Sequence, residues 1–528
     1  MSRKLWRIFW WALLIRVLFS SGILIQADGN FLTAFHGFDG YYEIAENLLA
    51  GNGFSQSSAP PFVIDDERTP LYPLFIAAFV YIFHSYYAIL IAQIILGSAL
   101  PLLAYRIALQ ITARERVATL VAVFSVLEPL SIHFATKLVS ETFFTVLFLV
   151  GTTLFLDYIR IQHKRALIYA TAFFALAILA RPTIQLLPLL FIFVVFFLAK
   201  GNSGRAVRHS LIVTAVFFLI LAPWSIRNFV RFGNPALSVQ YASVPYGYLI
   251  PSALALEKNI GFMDALTQFY EGEGNIKSVG DITLSNAPFY RERAAEILRK
   301  HPVGLIKSIG VTFLTFFTHD GYFDILRRLD AAPSITLERP AFTLLLESPK
   351  RAWEFVRPLL ASPALFVILG RILWIFISLL FIIGAVQFLK TPGHRAKGIF
   401  ILLIILYFAL TTIAVGLSVN ARFRFPVNAL ILTFAAYGIA NMLPKRTAPP
   451  SLSPPEADPF FGGQGGGYEG WCNPPHLLIP PFLKGLPERR GIWKSLLPKT
   501  AVLPLEKGEL SHFSGGVESY SAVMRTHI

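Results

Sequence analysis

An all-α polytopic membrane protein is expected from three features of this 528-residue sequence: its apolar weight, the length of its apolar blocks and the placement of its charges. Hydrophobic residues make up 55% of the chain and aromatic residues 14%, against 15% charged, whereas a soluble chain carries about 25% charged residues. The apolar residues gather in blocks of roughly 15 to 28, each about long enough to cross ~30 Å of hydrocarbon as a helix. Lys and Arg number 46 against 31 Asp and Glu, a net charge of +15. The bases sit in short clusters between apolar blocks, where they orient membrane helices; nucleic acid is the poorer explanation. A single cysteine, Cys472, excludes an intrachain disulfide and any Cys-based zinc or iron–sulfur site.

Read in order, the blocks give about ten transmembrane helices, near 5–26, 86–109, 117–135, 142–159, 167–181, 183–199, 210–226, 364–389, 398–418 and 425–443. The first block runs past Ile25 without a small-residue cleavage site, so it reads as a span and not a signal peptide. Basic loops recur on every second side: Arg3/Lys4/Arg7, Arg106/Arg114/Arg116, Arg160/Lys164/Arg165, Lys200/Arg205/Arg208, Lys390/Arg395/Lys397 and Lys445/Arg446. The positive-inside rule makes these loops and both termini cytoplasmic. Between the first two spans lie Asp28, Asp39, Glu43, Glu46, Asp65, Asp66 and Glu67 against one base, Arg68, which puts this loop outside. The apolar runs Leu71–Phe83 and Val303–Phe317 must then be interfacial or re-entrant helices, because counting either as a crossing breaks the alternation. The expected organisation is a membrane domain over 1–446, with external loops at about 27–85 and 227–363. A Pro/Gly-rich, disordered cytoplasmic tail is expected over 447–528.

Polar groups beside hydrocarbon are costly, so their positions are informative. In GFDGYYEIAENLLAGNGFS, Asp39 precedes a short amphipathic helix. It can cap that helix, or serve as a general base at the membrane surface, and the two roles can coexist. Asp65–Asp66–Glu67–Arg68 leads into the interfacial helix; carboxylates suit hard cations and a guanidinium suits phosphate, though a solvated charge run would look the same. Glu141, in KLVSETFF, opens a span at the level of Asp39, where first-turn placement after Ser140 also explains it. Glu128, His133 and Lys137 lie on the preceding corner. Arg181, Arg227, Arg422 and Arg424 break the inside preference for bases on the same external side, and a phosphate held there supplies a reason for all four. Arg16 and Arg371 fall inside spans, where Glu128 could neutralise one of them.

These stretches resemble GT-C superfold membrane glycosyltransferases, in the branch that is similar to bacterial protein O-mannosyltransferases and the aminoarabinose transferase of lipid A (family 39-type). The matching segments are FDGYYEIAENLLAGNGFS with RTPLYPLFIAAFVYIF, EPLSIHFATKLVSETFF, ILARPTIQLLPLL, APWSIRNFVRFGNP and NARFRFPVNALILTFAAYGI, in the family's order over about 5–443. The resemblance implies a polyprenyl-phosphate sugar donor and a protein, lipid or glycan acceptor. It implies Asp39 as catalytic base with Glu141 as the second carboxylate, and Arg68 at the donor phosphate, where the charge placement adds Arg181, Arg227, Arg422 and Arg424. It also points to Glu67, with His319 as a weaker partner, for a divalent metal ion, so metal dependence stays open. Thr69, inserted before Pro70, departs from the family pattern.

The expected activity is therefore transfer of a hexosyl or pentosyl group from the lipid-linked donor to an acceptor hydroxyl. Its place is the extracytoplasmic face of a bacterial cytoplasmic (inner) membrane. The alternative is a transporter or flippase of lipid-linked sugars, which would want polar groups through the mid-membrane and paired repeats.

Overall fold

A computed structural model describes residues 2–198, 201–273, 276, 278–332, 348–391, 393 and 395–442. The tail expected over 447–528 lies outside the described residues. What is described forms helices and loops, with one isolated antiparallel bridge between Ser55 and Ile64.

Seven helices are long and apolar enough to cross a membrane: Arg3–Gln26, Tyr86–Thr112, Glu141–Ile161, Ser203–Phe232, Leu365–Lys390, Arg395–Ser418 and Ala421–Met442. Counted as one span, the pair Glu115–Leu127 and Pro129–Ala135, bent by 55°, makes an eighth. Its break has a local cause. A residue before proline is pushed out of the helical region, and Glu128 adopts φ −64°, ψ 116°. Pro129 then opens the new helix, and the Glu128 carboxylate caps it by accepting from Ser131 N at 2.7 Å.

The remaining two expected spans, near 167–181 and 183–199, are helices below the length of the seven long ones. Lys164–Ala180 has 17 residues, and Pro182–Leu198 is a shorter apolar helix that begins with a 3₁₀ turn. Here too proline acts on its predecessor: Arg181 is extended, at φ −151°, ψ 124°, so one helix ends and the next begins with no loop. At 1.5 Å per residue the first is about 25 Å long. Leu71–Phe83 and Pro302–Thr318 are the short apolar helices expected at these places.

The helices bury a core of Phe144, Phe148, Phe155, Phe174, Phe191, Phe400, Phe408 and Trp374. Outward they leave Leu219, Phe218, Ile306 and Val230 about 70% exposed. Such a surface would aggregate in water and is what lipid covers. Residues 239–297 form a second apolar cluster around Tyr246, Ile250, Phe262 and Leu284. This cluster is tied to the first loop by Val239 N to Asp66 O at 3.0 Å and Ser238 Oγ to Glu67 O at 2.6 Å.

Leu365–Lys390 and Ala421–Met442 approach closely because Gly384 and Gly438 face each other. A Cβ on Gly384 would collide with the Phe434 carbonyl oxygen, which is backbone and cannot rotate away. Gly384→Ala is therefore expected to destabilise the protein by about 1–3 kcal/mol, as overpacking does. Gly310→Ala, which meets open space, should leave the unfolding midpoint in detergent unchanged or slightly raised. Equal midpoints for both variants would contradict the close crossing.

Candidate active site

The site is assembled from the first loop, the corner before Glu141, the break at Arg181 and the start of the last helix. Two glycines press the Phe38–Asp39 turn against its surroundings. A Cβ at Gly37 would strike the Leu138 carbonyl, and Gly40 takes φ 74°, in the left-handed region, directly against Gln56. Leu138 N donates to Phe35 O at 2.8 Å. Arg328 fastens the same corner, donating to Thr136 Oγ1 at 2.8 Å and Ala34 O at 3.0 Å. Burial lowers the Arg328 pKa to about 9.

Asp39 does not cap the helix that follows it. Gly40 occupies the cap position of Tyr41–Leu49, and the Asp39 carboxylate turns instead to Arg422, with Nη1 to Oδ1 at 3.3 Å and Nη2 paired with Oδ2. The Arg422 Nε donates to Glu141 Oε1, an oxygen that Arg181 Nη1 also reaches. Arg181 donates as well to Ser140 Oγ at 3.3 Å, and that hydroxyl bonds Tyr41 Oη at 3.2 Å. Glu141 Oε2 is buried without a hydrogen-bond partner. Arg68 clamps the Asp39 backbone, from Nε to the carbonyl oxygen at 2.6 Å, while its Nη1 pairs with Glu67 at 2.8 Å and its plane lies 5.6 Å from the Tyr41 ring. Five sequence candidates, Asp39, Arg68, Glu141, Arg181 and Arg422, thus converge.

Three guanidiniums and three carboxylates make this cluster neutral as it stands. Burial alone would raise the Asp39 pKa, but the positive charges of Arg422, Arg68 and Arg181 outweigh it and hold the carboxyl well below the usual carboxylate range. Lys137, placed by the sequence on the corner before Glu141 but given no role there, belongs to the surroundings. Its Nζ sits 5.2 Å from the Phe38 ring, and burial pulls its pKa down to about 8. Its place four residues before Glu141 was the available signal.

Other candidates lie elsewhere. Arg424 is fully buried; it donates to Phe316 O at 2.9 Å, His319 O at 2.6 Å and Asn428 Oδ1 at 3.0 Å, and lies 3.6 Å from the Trp374 ring. Residues two apart on a helix point to different faces, so Arg422 and Arg424 cannot share one ligand. Arg227 is caged by Trp224 at 4.4 Å and by Phe54 and Phe232 at 5.4 Å, and donates to Asn228. The two residues offered for a metal ion have other neighbours. Glu67 is occupied by Arg68 and by Gln240 at 3.4 Å, and His319 Nδ1 accepts from Gly321 N at 2.9 Å. Among the described residues no group of three His, Cys, Asp or Glu could hold a metal ion. Glu128 pairs with neither inner arginine directly: Arg16 donates to Ser131 Oγ at 2.6 Å, and Arg371 pairs with Asp320 at 3.1 Å.

Residues 67–226 match the family model described as dolichyl-phosphate-mannose-protein mannosyltransferase. The resemblance to GT-C membrane glycosyltransferases holds over this stretch, which carries Glu67, Arg68, Glu141 and Arg181 and covers well under half of the chain. No curated protein matches the chain. Similar solved structures include the Archaeoglobus fulgidus oligosaccharyltransferase complex with Zn and sulfate, at 15% identity over 81% of this chain and 49% of that one, TM-score 0.42. Another is the archaeal oligosaccharyltransferase AglB from Archaeoglobus fulgidus with an inhibitory peptide and a dolichol-phosphate, at 14% identity, 81% and 50% coverage and TM-score 0.43. A third is ArnT from Cupriavidus metallidurans bound to undecaprenyl phosphate, at 14% identity, 81% and 77% coverage and TM-score 0.32. The chain spans about half the length of the two archaeal structures, and TM-scores this low do not define its fold.

Asp66 gives the site's surroundings a pH dependence. Burial raises its pKa to about 6, against the opposing hydrogen bond from Leu284 N at 2.5 Å. An acid whose folded pKa is raised stabilises the fold less as pH climbs from its unfolded value, about 4, through 6. Asp66→Asn keeps an acceptor for Leu284 N without the charge. The variant is expected to unfold at a higher temperature than wild type above pH 6, with the gap closing toward pH 4; a gap that widens on acidification would refute the assignment.

Proposed function

We propose that this chain transfers a sugar from a polyprenyl-phosphate donor to an acceptor hydroxyl at the extracytoplasmic face of a bacterial cytoplasmic membrane, with Asp39 as general base. The observation that carries the reading is the bridging of Asp39 and Glu141 by Arg422, beside Arg181 and Arg68, at the ends of apolar helices. A polyprenyl tail partitions into lipid and leaves its phosphate and sugar at the interface, where guanidiniums match phosphate oxygens. The external placement rests on the acidic first loop and the alternation of basic loops. That the matched family is described as using dolichyl-phosphate mannose agrees with a lipid-phosphate donor.

In this mechanism the acceptor oxygen attacks the anomeric carbon as Asp39 takes its proton. The bond from that carbon to the phosphate oxygen breaks, and the departing phosphate keeps the electron pair, stabilised by Arg422 and Arg68. One displacement inverts the anomeric centre. Glu141, sealed from solvent, acts through the two arginines it holds, orienting Arg181 and Arg422.

Purified protein supplied with a polyprenyl-phosphate sugar and candidate acceptors tests the reading. Asp39→Asn is expected to cut release of polyprenyl phosphate by about 10²-fold or more in protein that still folds, at a somewhat lower unfolding temperature. Arg181→Ala should raise the donor KM more than it lowers kcat. Release that survives Asp39→Asn removes that residue from the chemistry, and lipid movement across the bilayer without release identifies a transporter.

A further inference from the structure

As it stands, the base is held by the group that should hold the donor. Three of the five N–H groups of Arg422 are directed at carboxylates, two at Asp39 and one at Glu141. Its neighbours are committed as well: Arg68 to Glu67 and the Asp39 carbonyl, Arg181 to Glu141 and Ser140. A phosphate entering this neutral cluster adds negative charge and competes with the carboxylates for a guanidinium.

Exposure identifies which one. The Arg422 side chain is 29% exposed, against 17% for Arg181 and 11% for Arg68. Of its two acids Asp39 is 19% exposed and Glu141 only 2%. The Arg422–Asp39 contact is the open side of the cluster, and the Arg422–Glu141 contact is the sealed side. Phosphate arriving from the interface can replace Asp39 at the two terminal nitrogens while Glu141 keeps Nε as a tether.

We propose that Arg422 exchanges Asp39 for the donor phosphate, so that donor binding releases the base and must precede deprotonation of the acceptor. This rests on the transferase reading above and adds an order of events to it. Before the exchange, Asp39 is engaged at both oxygens by a cation and is a poor proton acceptor. Afterwards the cation faces the phosphate that will leave, and Asp39 is free toward the acceptor hydroxyl. No bond is made or broken covalently in the exchange: two hydrogen bonds to carboxylate oxygens are replaced by two to phosphate oxygens. One consequence is protective, since the base is quiet while no donor is present and water at the site is not activated.

The test uses the full chain in detergent, with polyprenyl phosphate lacking a sugar as the probe, so that no transfer can run. Carboxyl labelling with a carbodiimide and glycinamide is quantified by mass spectrometry on the peptide containing Asp39, with the Asp66 peptide as an internal reference. Binding of radiolabelled lipid is measured in parallel. Saturating lipid is expected to raise Asp39 labelling at least threefold in wild type. In Arg422→Gln, Asp39 should label at the high level with or without lipid. Arg422→Lys, which keeps the charge but offers a single nitrogen, should lie between the two and serves if the glutamine variant misfolds. Lipid that binds while Asp39 labelling stays flat or falls overturns the exchange and leaves the transferase reading standing. Lipid that does not bind at all overturns both.

Discussion

The arrangement depends on placing charge at the edge of hydrocarbon without leaving it alone there. A lone guanidinium or carboxylate at that depth carries a large desolvation cost, and the protein meets it by sharing. Glu141, almost fully buried, anchors Arg181 and Arg422 on one oxygen, and Arg422 in turn holds Asp39. The first loop, the start of Glu141–Ile161, the break at Arg181 and the start of Ala421–Met442 are thereby joined through one set of ion pairs. Elements far apart in sequence are locked together by the groups available for chemistry.

Backbone devices make this sharing possible. Proline twice ends a helix at the residue before it, at Glu128 and at Arg181, and in each case the displaced residue is polar and finds a partner at the break. Gly37 and Gly40 let the Asp39 turn lie against the Leu138 carbonyl and Gln56, approaches that any side chain would prevent. Arg328 and the bonds from residues 238–239 to the first loop hold the outer layer in place.

Much of this was legible because hydrophobicity and charge are written locally. Block length located the long spans, and arginines on the wrong side of the charge alternation pointed to Arg181 and Arg422. Geometry across the chain was not legible in the same way. The motif NARFRF reads as two equivalent arginines, yet helical rotation sends Arg422 to the acids and Arg424 into the core beneath Trp374. Asp39 read equally well as a helix cap, since nothing nearby in sequence reveals a partner 383 positions away. Glu67 and His319 came from the resemblance, and their neighbours in the fold, Arg68 for Glu67 and Gly321 for His319, lie outside what sequence reveals. The break at Arg181 was legible too, because Pro182 between two apolar runs forces its predecessor out of the helical region.

The 17-residue helix Lys164–Ala180 has a consequence for the surrounding lipid. At about 25 Å it falls short of an average hydrocarbon layer of about 30 Å, and a bilayer meets a short span by thinning around it. Were its basic end, Lys164 and Arg165, to sit at one headgroup layer, the opposite leaflet would dip toward Arg181. Headgroups would then be drawn down to the guanidinium, and a long-chain lipid phosphate could reach it without leaving its own leaflet.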